Sequence, residues 1–420
     1  MGFNGGKKPK RPTRGGVVAA LDVGSTKVCC FIARVEDQGN VKVIGVGHQL
    51  AAGVRAGAII DMEAAETSIG AAVHAAEQMA GETIREVVVN VSGPISHTFN
   101  AEVAIPGQEV TESDVRRALA HARALQIGPE STLIHALPVG FSLDGNRGIR
   151  DPRGMYGDRL AVHVHVITAL AGVVRNLHTC VARCHLDIES MMVSPYASAL
   201  ATLVEDEMEL GVACIDLGGG TTTISVFFEG QMVWTDCIRL GGNHVTNDIA
   251  RGLTTPVVHA ERMKTLHGSA MASAADEREM IDVPQVGEED RASGNNVPKS
   301  LLVRIIQPRL EEIFEQVRSR LEQSGFAKLA GRRVVLTGGA SQLPGTRELA
   351  QLILDKQVRL GRPTRIGGLA DANGGPAYST AAGLLIHAVR HPTELPVNVH
   401  EAVSGGGIWA RVGTWLRENL

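Results

Sequence analysis

Short apolar runs alternate along the chain with glycine-rich turns and with longer segments of helical period. Residues 16–21 and 211–215 are almost wholly apolar, and each run ends at a glycine-rich turn followed by a β-branched run. Such runs, bounded by glycine, predict buried strands joined in tight hairpins. The pattern also predicts helices over 61–81, 113–125, 172–186, 194–201 and 301–321, the last with a kink at Pro308. This mixture of strands and helices predicts an α/β fold.

The two hairpin turns have matching sequences. The first is Asp22-Val-Gly-Ser-Thr-Lys27 and the second is Asp216-Leu-Gly-Gly-Gly-Thr-Thr222. Glycine lets the backbone approach a ligand closely, so the N–H groups of such a turn can converge on a phosphate. The Asp at each strand end can hold a metal-bound water beside the phosphates. One such turn is most often only a hairpin tip, but two of matching design predict two similar lobes that hold one nucleotide between them.

A third glycine-containing segment supports the same interpretation. Val334-Val-Leu-Thr-Gly-Gly-Ala-Ser-Gln-Leu-Pro344 predicts a buried strand, a Gly-Gly turn and a helix start with Ser341 near the cap. Bare glycines at 338 and 339 suit a flat adenine or ribose. The spacing is not that of a Walker loop, and the first two turns lead into strands rather than helices, which excludes a Rossmann fingerprint.

Composition limits the classes of protein that fit this pattern. At 420 residues the chain is long enough for at least two domains with cores of their own. Its net charge of −4 argues against a general nucleic-acid-binding protein. The six cysteines fall mostly within apolar stretches and are expected to be reduced core residues of a cytoplasmic protein. We expect neither a spanning helix nor a secretory signal.

Several stretches differ in character from the two predicted lobes. Residues 1–15 are basic and rich in glycine and proline, which predicts a disordered tail. Residues 83–171 combine a helix with alternating strands and predict an inserted α+β module, in which His163 and His165 share one strand face as a surface or interface pair. Residues 271–300 are polar and predict a surface loop region with one short strand. Residues 393–406 predict a flexible linker.

The segment 407–420 predicts an amphipathic helix. It holds two of the three tryptophans in the chain, with arginines beside its apolar face. Tryptophan at an apolar edge next to arginine suits a membrane interface, whereas docking on a partner protein or on the chain's own core is the alternative. The residues predicted to contact the membrane are Ile408, Trp409, Arg411, Val412, Trp415, Leu416 and Arg417.

From residue 16 to the end the chain resembles the superfamily of actin, heat-shock chaperones and sugar kinases. The first two turns are similar to its two phosphate motifs, Val334–Pro344 to its adenosine motif and 194–201 to its first connecting helix. Segments 240–249 and 260–264 resemble those that shape the nucleoside pocket, which implies that Glu261 and Lys264 lie near the ribose. The alternative for these two residues is an ordinary surface pair one helical turn apart.

Within that superfamily, the inserted module and the amphipathic tail resemble the FtsA family of bacterial cell-division proteins. The resemblance implies an actin-like two-lobed ATPase fold with an inserted α+β subdomain and a C-terminal amphipathic helix. The implied division is subdomain 1A over 16–82, 172–212 and 376–392, subdomain 1C over 83–171, subdomain 2A over 213–245 and 329–375, and subdomain 2B over 246–328. The basic tail 1–15, the linker 393–406 and the helix 407–420 complete it.

The same resemblance implies a function and its site. We expect the cofactors ATP and Mg, with Asp22 and Asp216 holding the metal through water. The implied nucleotide-binding residues are Gly24, Ser25, Thr26, Lys27, Gly218, Gly219, Gly220, Thr221, Gly242, Glu261, Lys264, Gly338 and Gly339.

The implied partners are those of a protein at the cytoplasmic face of the inner membrane, at the division septum. They are the FtsZ C-terminal peptide, further copies of this chain in an actin-like filament, an anionic lipid surface and later divisome membrane proteins. The peptide is expected on subdomain 2B, in the region 301–321 with Arg304 and Arg309.

One position departs from the pattern of the superfamily. Some members carry a Glu just before the Pro of the connecting helix, where it positions the attacking water, and Ser194 stands there in this chain. Because a hydroxyl orients or deprotonates water poorly, we expect weak or negligible ATP hydrolysis. The alternative function is a small-molecule kinase of the same fold, which would need a catalytic carboxylate facing the γ-phosphate.

Overall fold

The computed structural model of the protein describes residues 16–36, 39–123, 128–287 and 295–390. The predicted basic tail, the linker and the amphipathic helix 407–420 lie outside these residues. The strands are β1 Val17–Val23, β2 Lys27–Val35, β3 Val41–Leu50, β4 Val54–Arg55, β5 Ala58–Ile59, β6 Glu86–Val91, β7 Ile95–Ala104, β8 Ser131–Leu143, β9 Asn146–Ile149, β10 Arg159–Leu170, β11 Asp187–Val193, β12 Val212–Leu217, β13 Thr222–Phe228, β14 Gln231–Ile238, β15 Met280–Val283, β16 Asn295–Pro298, β17 Arg333–Thr337 and β18 Gln357–Leu360. The α-helices are α1 Met62–Ala80, α2 Glu112–Arg123, α3 Ala171–Arg183, α4 Ser194–Thr202, α5 Glu205–Leu210, α6 Gly242–Gly252, α7 Val257–His267, α8 Lys299–Gln323, α9 Thr346–Leu354 and α10 Ser379–Arg390.

Two five-stranded sheets of the same topology form the centres of two lobes. The first has the order β3-β2-β1-β6-β11 and the second β14-β13-β12-β17-β18. In each sheet the first three strands form an antiparallel meander, and the remaining two run parallel to the central strand. Each sheet has its own apolar core, which holds most of the fully buried valine, isoleucine and leucine side chains. The predicted α/β fold with two similar lobes is confirmed.

Small residues let helices pack closely on the first sheet. The helix α1 begins after Asp61, whose carboxylate accepts a hydrogen bond from the N–H of Ala64 at 3.1 Å, and it ends at Gly81 in the left-handed region. The helix α4 packs on α10, where a Cβ at Gly383 would overlap the carbonyl oxygen of Ala197. The close packing that the small residues of 194–201 predict is therefore present.

The segment 83–171, predicted as an insert, contains a third sheet, of order β7-β10-β8-β9, with α2 packed on it. The first strand of this segment, β6, lies instead in the first lobe, where it pairs with β1 and β11. His163 and His165 lie on β10, as predicted. The ring of His165 is fully buried and makes hydrogen bonds with the carbonyl oxygen of Met232 on β14 at 2.9 Å and with the hydroxyl of Ser96 at 2.7 Å. His165 is thus an interface residue between this sheet and the second lobe.

Two segments of the second lobe differ in detail from their predictions. The region 271–300 contains two short strands rather than one, because β15 pairs with the polar β16, whose sequence has no apolar alternation to reveal it. The helix α8 continues through Pro308 and is longer at both ends than predicted. None of the described helices is both long and apolar enough to cross a membrane.

Candidate functional site

The two glycine turns face each other across a cavity of about 440 Å³ between the lobes. The turn between β1 and β2 forms one wall and the turn between β12 and β13 forms the other. Every described residue that the sequence predicted for nucleotide or metal binding lines this cavity: Asp22, Gly24, Ser25, Thr26, Lys27, Asp216, Gly218, Gly219, Gly220, Thr221, Gly242, Glu261, Lys264, Gly338 and Gly339. The fold therefore brings three distant segments of the chain to one site.

The backbones of the two turns close in the same way. The N–H of Gly24 donates to the carbonyl of Lys27 at 3.1 Å, and the N–H of Gly218 donates to the carbonyl of Thr221 at 3.0 Å. A Cβ at Gly24 would lie 2.8 Å from the first of these carbonyl oxygens, and a Cβ at Gly218 would lie 2.9 Å from the second. Glycine at these two positions is therefore required by the turn itself.

Two carboxylates stand beside these turns, the buried Asp22 and the half-buried Asp216. Burial raises the pKa of Asp22 to about 7, with a further increase from the charge of Asp216 and a partial offset from Lys27. Burial also raises the pKa of Asp216 to about 6, and hydrogen bonds from the hydroxyls of Ser198 and Thr380 offset part of that increase. The charged forms of both groups are costly here, which is the condition under which a bound cation is favourable.

A hydroxyl on the strand next to Asp216 has no hydrogen-bond partner. The hydroxyl of Thr223 is buried, lines the cavity and makes no hydrogen bond. Thr223 is the register partner of Asp216 in the β12–β13 pair. Two carboxylates and a free hydroxyl suit a hydrated magnesium ion, which keeps several waters and takes oxygen ligands. Among the described residues, no group of three or more His, Cys, Asp and Glu side chains forms a metal site without water.

The opposite end of the cavity contains a compact ionic cluster. The ammonium of Lys264 lies 2.7 Å from Glu261 Oε2, 2.8 Å from Thr246 Oγ1 and 3.2 Å from the carbonyl oxygen of Gly242. The hydroxyl of Thr246 also donates to the Glu261 carboxylate. Only 14% of the Lys264 side chain is exposed. Glu261 and Lys264 are thus part of the cavity wall rather than an isolated surface pair.

The two glycines of the third segment, Gly338 and Gly339, are there for different reasons. Gly338 has a φ of +87°, and a Cβ there would overlap the carboxylate of Asp216, so this glycine serves the fold. At Gly339, a Cβ would meet only Ala377, at 3.7 Å, so this position faces free space in the cavity. Ser341 does not cap a helix as expected: it lies in a 3-10 turn, and its hydroxyl donates to the carbonyl of Gly338 at 2.7 Å.

Neutral side chains lie at the ends of β6 and β11, close to the glycine turns. The amide of Asn90 donates to the hydroxyl of Ser194 at 3.1 Å and accepts from the N–H of Val23 at 2.7 Å. Ser92 Oγ lies 3.4 Å from Ser194 Oγ. All three of these side chains line the cavity, and none of them can serve as a strong base.

Comparison with known proteins identifies the family. The family model "Cell division protein FtsA" matches residues 213–383, and the model "SHS2 domain inserted in FTSA" matches residues 92–168. The chain is 47% identical to Cell division protein FtsA of Agrobacterium fabrum, over 98% of this chain and 97% of that protein. It is 38% identical to the protein of that name from Neisseria meningitidis, over 96% and 98%, and 34% identical to that of Escherichia coli, over the same shares. The chain belongs to the FtsA family of cell division proteins.

Solved structures agree on the fold of this FtsA-family chain. The PilM–PilN type IV pilus biogenesis complex superposes with a TM-score of 0.62 at 17% identity, covering 89% of this chain and 98% of that one. MreB5 of Spiroplasma citri bound to ADP superposes with a TM-score of 0.51 at 14% identity, covering 90% and 96%. The fold is therefore the actin-like one that the sequence predicted.

The predicted partner residues of the FtsA-family chain lie away from the cleft, on α8. Both Nε and Nη2 of Arg309 donate to the carboxylate of Asp248, at 2.6 and 3.2 Å. Arg304 lies 3.2 Å from Glu277, and 72% of its side chain is exposed. The predicted membrane residues of 407–420 lie outside the described residues.

Sequence reasoning missed several residues of the cavity wall, and two of them lie next to the second glycine turn. Thr223 is one, and the strand register that pairs it with Asp216 is the signal that could have found it. Asn243 is the other, and it also lines the cavity. It follows the Gly-Gly pair at 241 and 242, but no spacing rule connects it with the first turn, which its side chain contacts.

Proposed function

We propose that this FtsA-family protein binds ATP with magnesium between its lobes, forms actin-like filaments with copies of itself and tethers FtsZ to the cytoplasmic face of the inner membrane. At the division septum it would help to recruit later divisome membrane proteins. The observation that carries the proposal is the pair of matched glycine turns, each beside an Asp that lines the cavity, on the two walls of one cavity.

The cavity offers each part of Mg-ATP a suitable partner. The N–H groups of the two turns would hold the phosphates, and Asp22 and Asp216 would hold magnesium through water. Glu261 and Lys264 would hold the ribose, and the open face at Gly339 would lie against the nucleoside. Bound magnesium would supply the positive charge that offsets the phosphates and the two carboxylates. The structures of MreB5 bound to ADP and to AMPPNP support nucleotide binding by this fold.

The neutral wall formed by Asn90, Ser92 and Ser194 favours binding over turnover. The carboxylates lining the described cavity are Asp22, Asp216 and Glu261. The first two are proposed to serve the metal, and the third is hydrogen-bonded to Thr246 and Lys264. No further base remains there to activate water or an acceptor hydroxyl, so we propose weak or negligible hydrolysis. The small-molecule kinase alternative is disfavoured for the same reason.

Two partner surfaces are proposed, one in subdomain 2B and one in the C-terminal segment. Subdomain 2B, over 246–328, is proposed to bind the FtsZ C-terminal peptide. Arg304 is its stronger candidate because Arg309 already forms two hydrogen bonds with Asp248. The helix 407–420 is proposed to bind the anionic lipid surface through Trp409, Trp415 and their neighbours. A short amphipathic helix binds weakly alone, so assembly of several copies would strengthen the attachment.

The test is co-sedimentation of FtsZ with liposomes that contain anionic lipid. The full chain is compared with a chain ending at Gly406, each with ATP and magnesium, and ATP binding is measured for both to show that the cleft is intact. We expect FtsZ to pellet only with the full chain. A full chain that binds ATP but pellets no FtsZ would contradict the tether, and rapid ATP turnover with a small-molecule acceptor would support the kinase.

A further inference from the structure

The tips of the two glycine turns contact each other directly. Ser25 and Thr26 of the first turn lie against Gly219 and Gly220 of the second. A Cβ at Gly219 would overlap the hydroxyl oxygen of Thr26, and a Cβ at Gly220 would lie 2.5 Å from the hydroxyl oxygen of Ser25. Neither glycine has a φ in the left-handed region, so an alanine would not strain the backbone there. In this structure, the side chains that exclude a Cβ at these two positions belong mainly to the first lobe.

Asn243 joins the same contact from the second lobe. Its N–H donates to the carbonyl of Gly219 at 2.8 Å, which fixes it to the second turn. Its side chain reaches the first turn: the amide oxygen accepts from the hydroxyl of Thr26 at 3.2 Å, and the amide nitrogen donates to the carbonyl of Ser25 at 3.4 Å. One side chain thus uses both its acceptor and its donor on the opposite lobe.

The first turn is also supported from behind. The hydroxyl of Ser25 accepts a hydrogen bond from the N–H of Gly57 at 3.0 Å, at the tip of the hairpin β4–β5. A Cβ at Gly220 would lie 3.0 Å from the N–H nitrogen of Ala56 in that hairpin. The contact between the lobes therefore rests on a buttressed turn rather than on a free loop tip.

We infer that Ser25, Thr26, Gly219, Gly220 and Asn243 form an interlobe latch, in which Asn243 is a positioning residue that controls how fast nucleotide leaves the cleft. The inference rests on the proposed binding of nucleotide in this cavity. Release requires the lobes to separate, and separation breaks the two hydrogen bonds of Asn243. Entry also requires open lobes, and these bonds are present in the structure without nucleotide, so the latch acts on both steps. Loss of the latch should therefore raise the dissociation rate, and any rise in the association rate should be no larger than that.

The first test is Asn243→Ala, with Asn247→Ala as the matched control. Asn247 lies on the same helix, α6, but is exposed and does not line the cavity. Dissociation of radiolabelled ATP with magnesium is followed after dilution into unlabelled ATP. For N243A we expect the dissociation rate to rise by roughly 3- to 10-fold, the equivalent of one or two neutral hydrogen bonds, whereas N247A should release ATP at the wild-type rate. Asn243→Asp, which keeps the acceptor but loses the donor to Ser25, should be intermediate.

The second test asks which partner requires glycine at position 219. Gly219→Ala should speed dissociation. Adding Thr26→Ala should slow it again only in part, because the overlapping hydroxyl is gone but its hydrogen bond to Asn243 is lost with it. Gly24→Ala is the control, since its clash with Lys27 lies within one turn and Thr26→Ala cannot relieve it. If bound phosphate rather than Thr26 requires this glycine, the double variant will release ATP as fast as G219A alone.

A measurement without nucleotide separates this inference from the proposed function. Amide hydrogen exchange over residues 24–27 and 218–222 should be faster in N243A and G219A than in the wild-type chain and N247A. Unchanged exchange in both variants would overturn the latch, whatever nucleotide does. Faster exchange in the variants, together with a wild-type chain that binds no ATP, would support the latch and contradict the proposed nucleotide site. A dissociation rate in N243A equal to that of the wild-type chain would refute the role of Asn243 in release.

Discussion

The two glycine turns share a backbone and differ at their tips. Both close with a hydrogen bond from a glycine N–H to the carbonyl three residues later, so Gly24 corresponds to Gly218. The next two positions carry side chains in the first turn and none in the second. The side chains at the tip of the first turn fit against the bare glycines at the tip of the second. The two turns can therefore contact each other across the cleft. A symmetric pair of tips would either clash or leave a gap.

The same comparison extends to the neighbouring strand of each sheet. The strand β6 lies parallel to β1 and is followed by Gly93, and β17 lies parallel to β12 and is followed by Gly338. Both glycines have positive φ, +73° and +87°. A Cβ at Gly93 would meet nothing within 4 Å, whereas a Cβ at Gly338 would overlap Asp216. Gly338 is therefore packed tightly against Asp216, whereas Gly93 has free space around it.

The largest effect is expected for Gly338→Ala against its counterpart Gly93→Ala. Backbone strain and overpacking each cost about 1–3 kcal/mol, so G338A should lose about 3 kcal/mol of unfolding free energy and G93A about 1 kcal/mol. Urea denaturation measures both variants. Equal losses would show that the packing around Asp216 adjusts without cost, and the asymmetry between the lobes would then have no energetic consequence.

The next largest effect, on ATP binding, is expected at the two cleft carboxylates, Asp22 and Asp216. Asp22→Asn and Asp216→Asn should each weaken magnesium-dependent ATP binding by roughly 10- to 100-fold, as is typical for groups that act on a metal through its surroundings. Equilibrium binding with magnesium and with EDTA measures the difference. Asp187→Asn, on the exposed end of β11, is the control and should bind as the wild type does. A loss confined to one of the two cleft variants would mean that the lobes do not share the metal.

The pH dependence of magnesium-dependent ATP affinity should differ between the carboxylates of the two lobes. A metal-bound carboxylate must be ionised, so magnesium-dependent affinity should rise as pH increases through about 6, for Asp216, and about 7, for Asp22. Asp22→Asn should leave only the lower transition. Without ligand, both pKa values exceed the unfolded value near 4, so the folded chain binds more protons in this range and its stability should fall as pH rises from about 4 to about 7. An affinity independent of pH across this window would contradict the metal role.

The smallest effect on ATP binding is expected at the residue whose carbonyl closes each turn, Lys27 in the first turn and Thr221 in the second. The Lys27 ammonium lies 3.1 Å from the centroid of the Tyr378 ring, and burial lowers the pKa of this lysine. Tyr378→Leu removes the ring and should weaken ATP binding by about 2- to 5-fold, whereas Tyr378→Phe retains the ring and should have little effect. Isothermal calorimetry on both variants measures this difference, and equal affinities would show that the ring contributes no more than packing.

Sequence patterns predicted local features well and contacts between lobes poorly. The bounds of α1 and the two hairpin turns follow from residue types within a few positions, and these predictions are confirmed. The seating of Thr26 on Gly219 joins residues almost two hundred positions apart, and no local pattern encodes it. The strand β16 is polar and pairs through its backbone alone. Ser341 has the composition of a cap, but the tight packing at Gly338 turns its hydroxyl back to that carbonyl.

His165 gives the molecule a second connection between its halves. The third sheet belongs to the chain segment between β6 and β11 of the first lobe, and through His165 it is bonded to Met232 of the second. Burial lowers the pKa of this ring to about 4, so the bond is made by a neutral imidazole and persists at neutral pH. The two lobes are thus connected at two separate places, directly at the latch and indirectly through the third sheet and His165. Opening the cleft would shift this sheet relative to the second lobe or break the hydrogen bond between His165 and Met232, so a molecule bound to the outer face of the sheet would change the free energy of cleft opening.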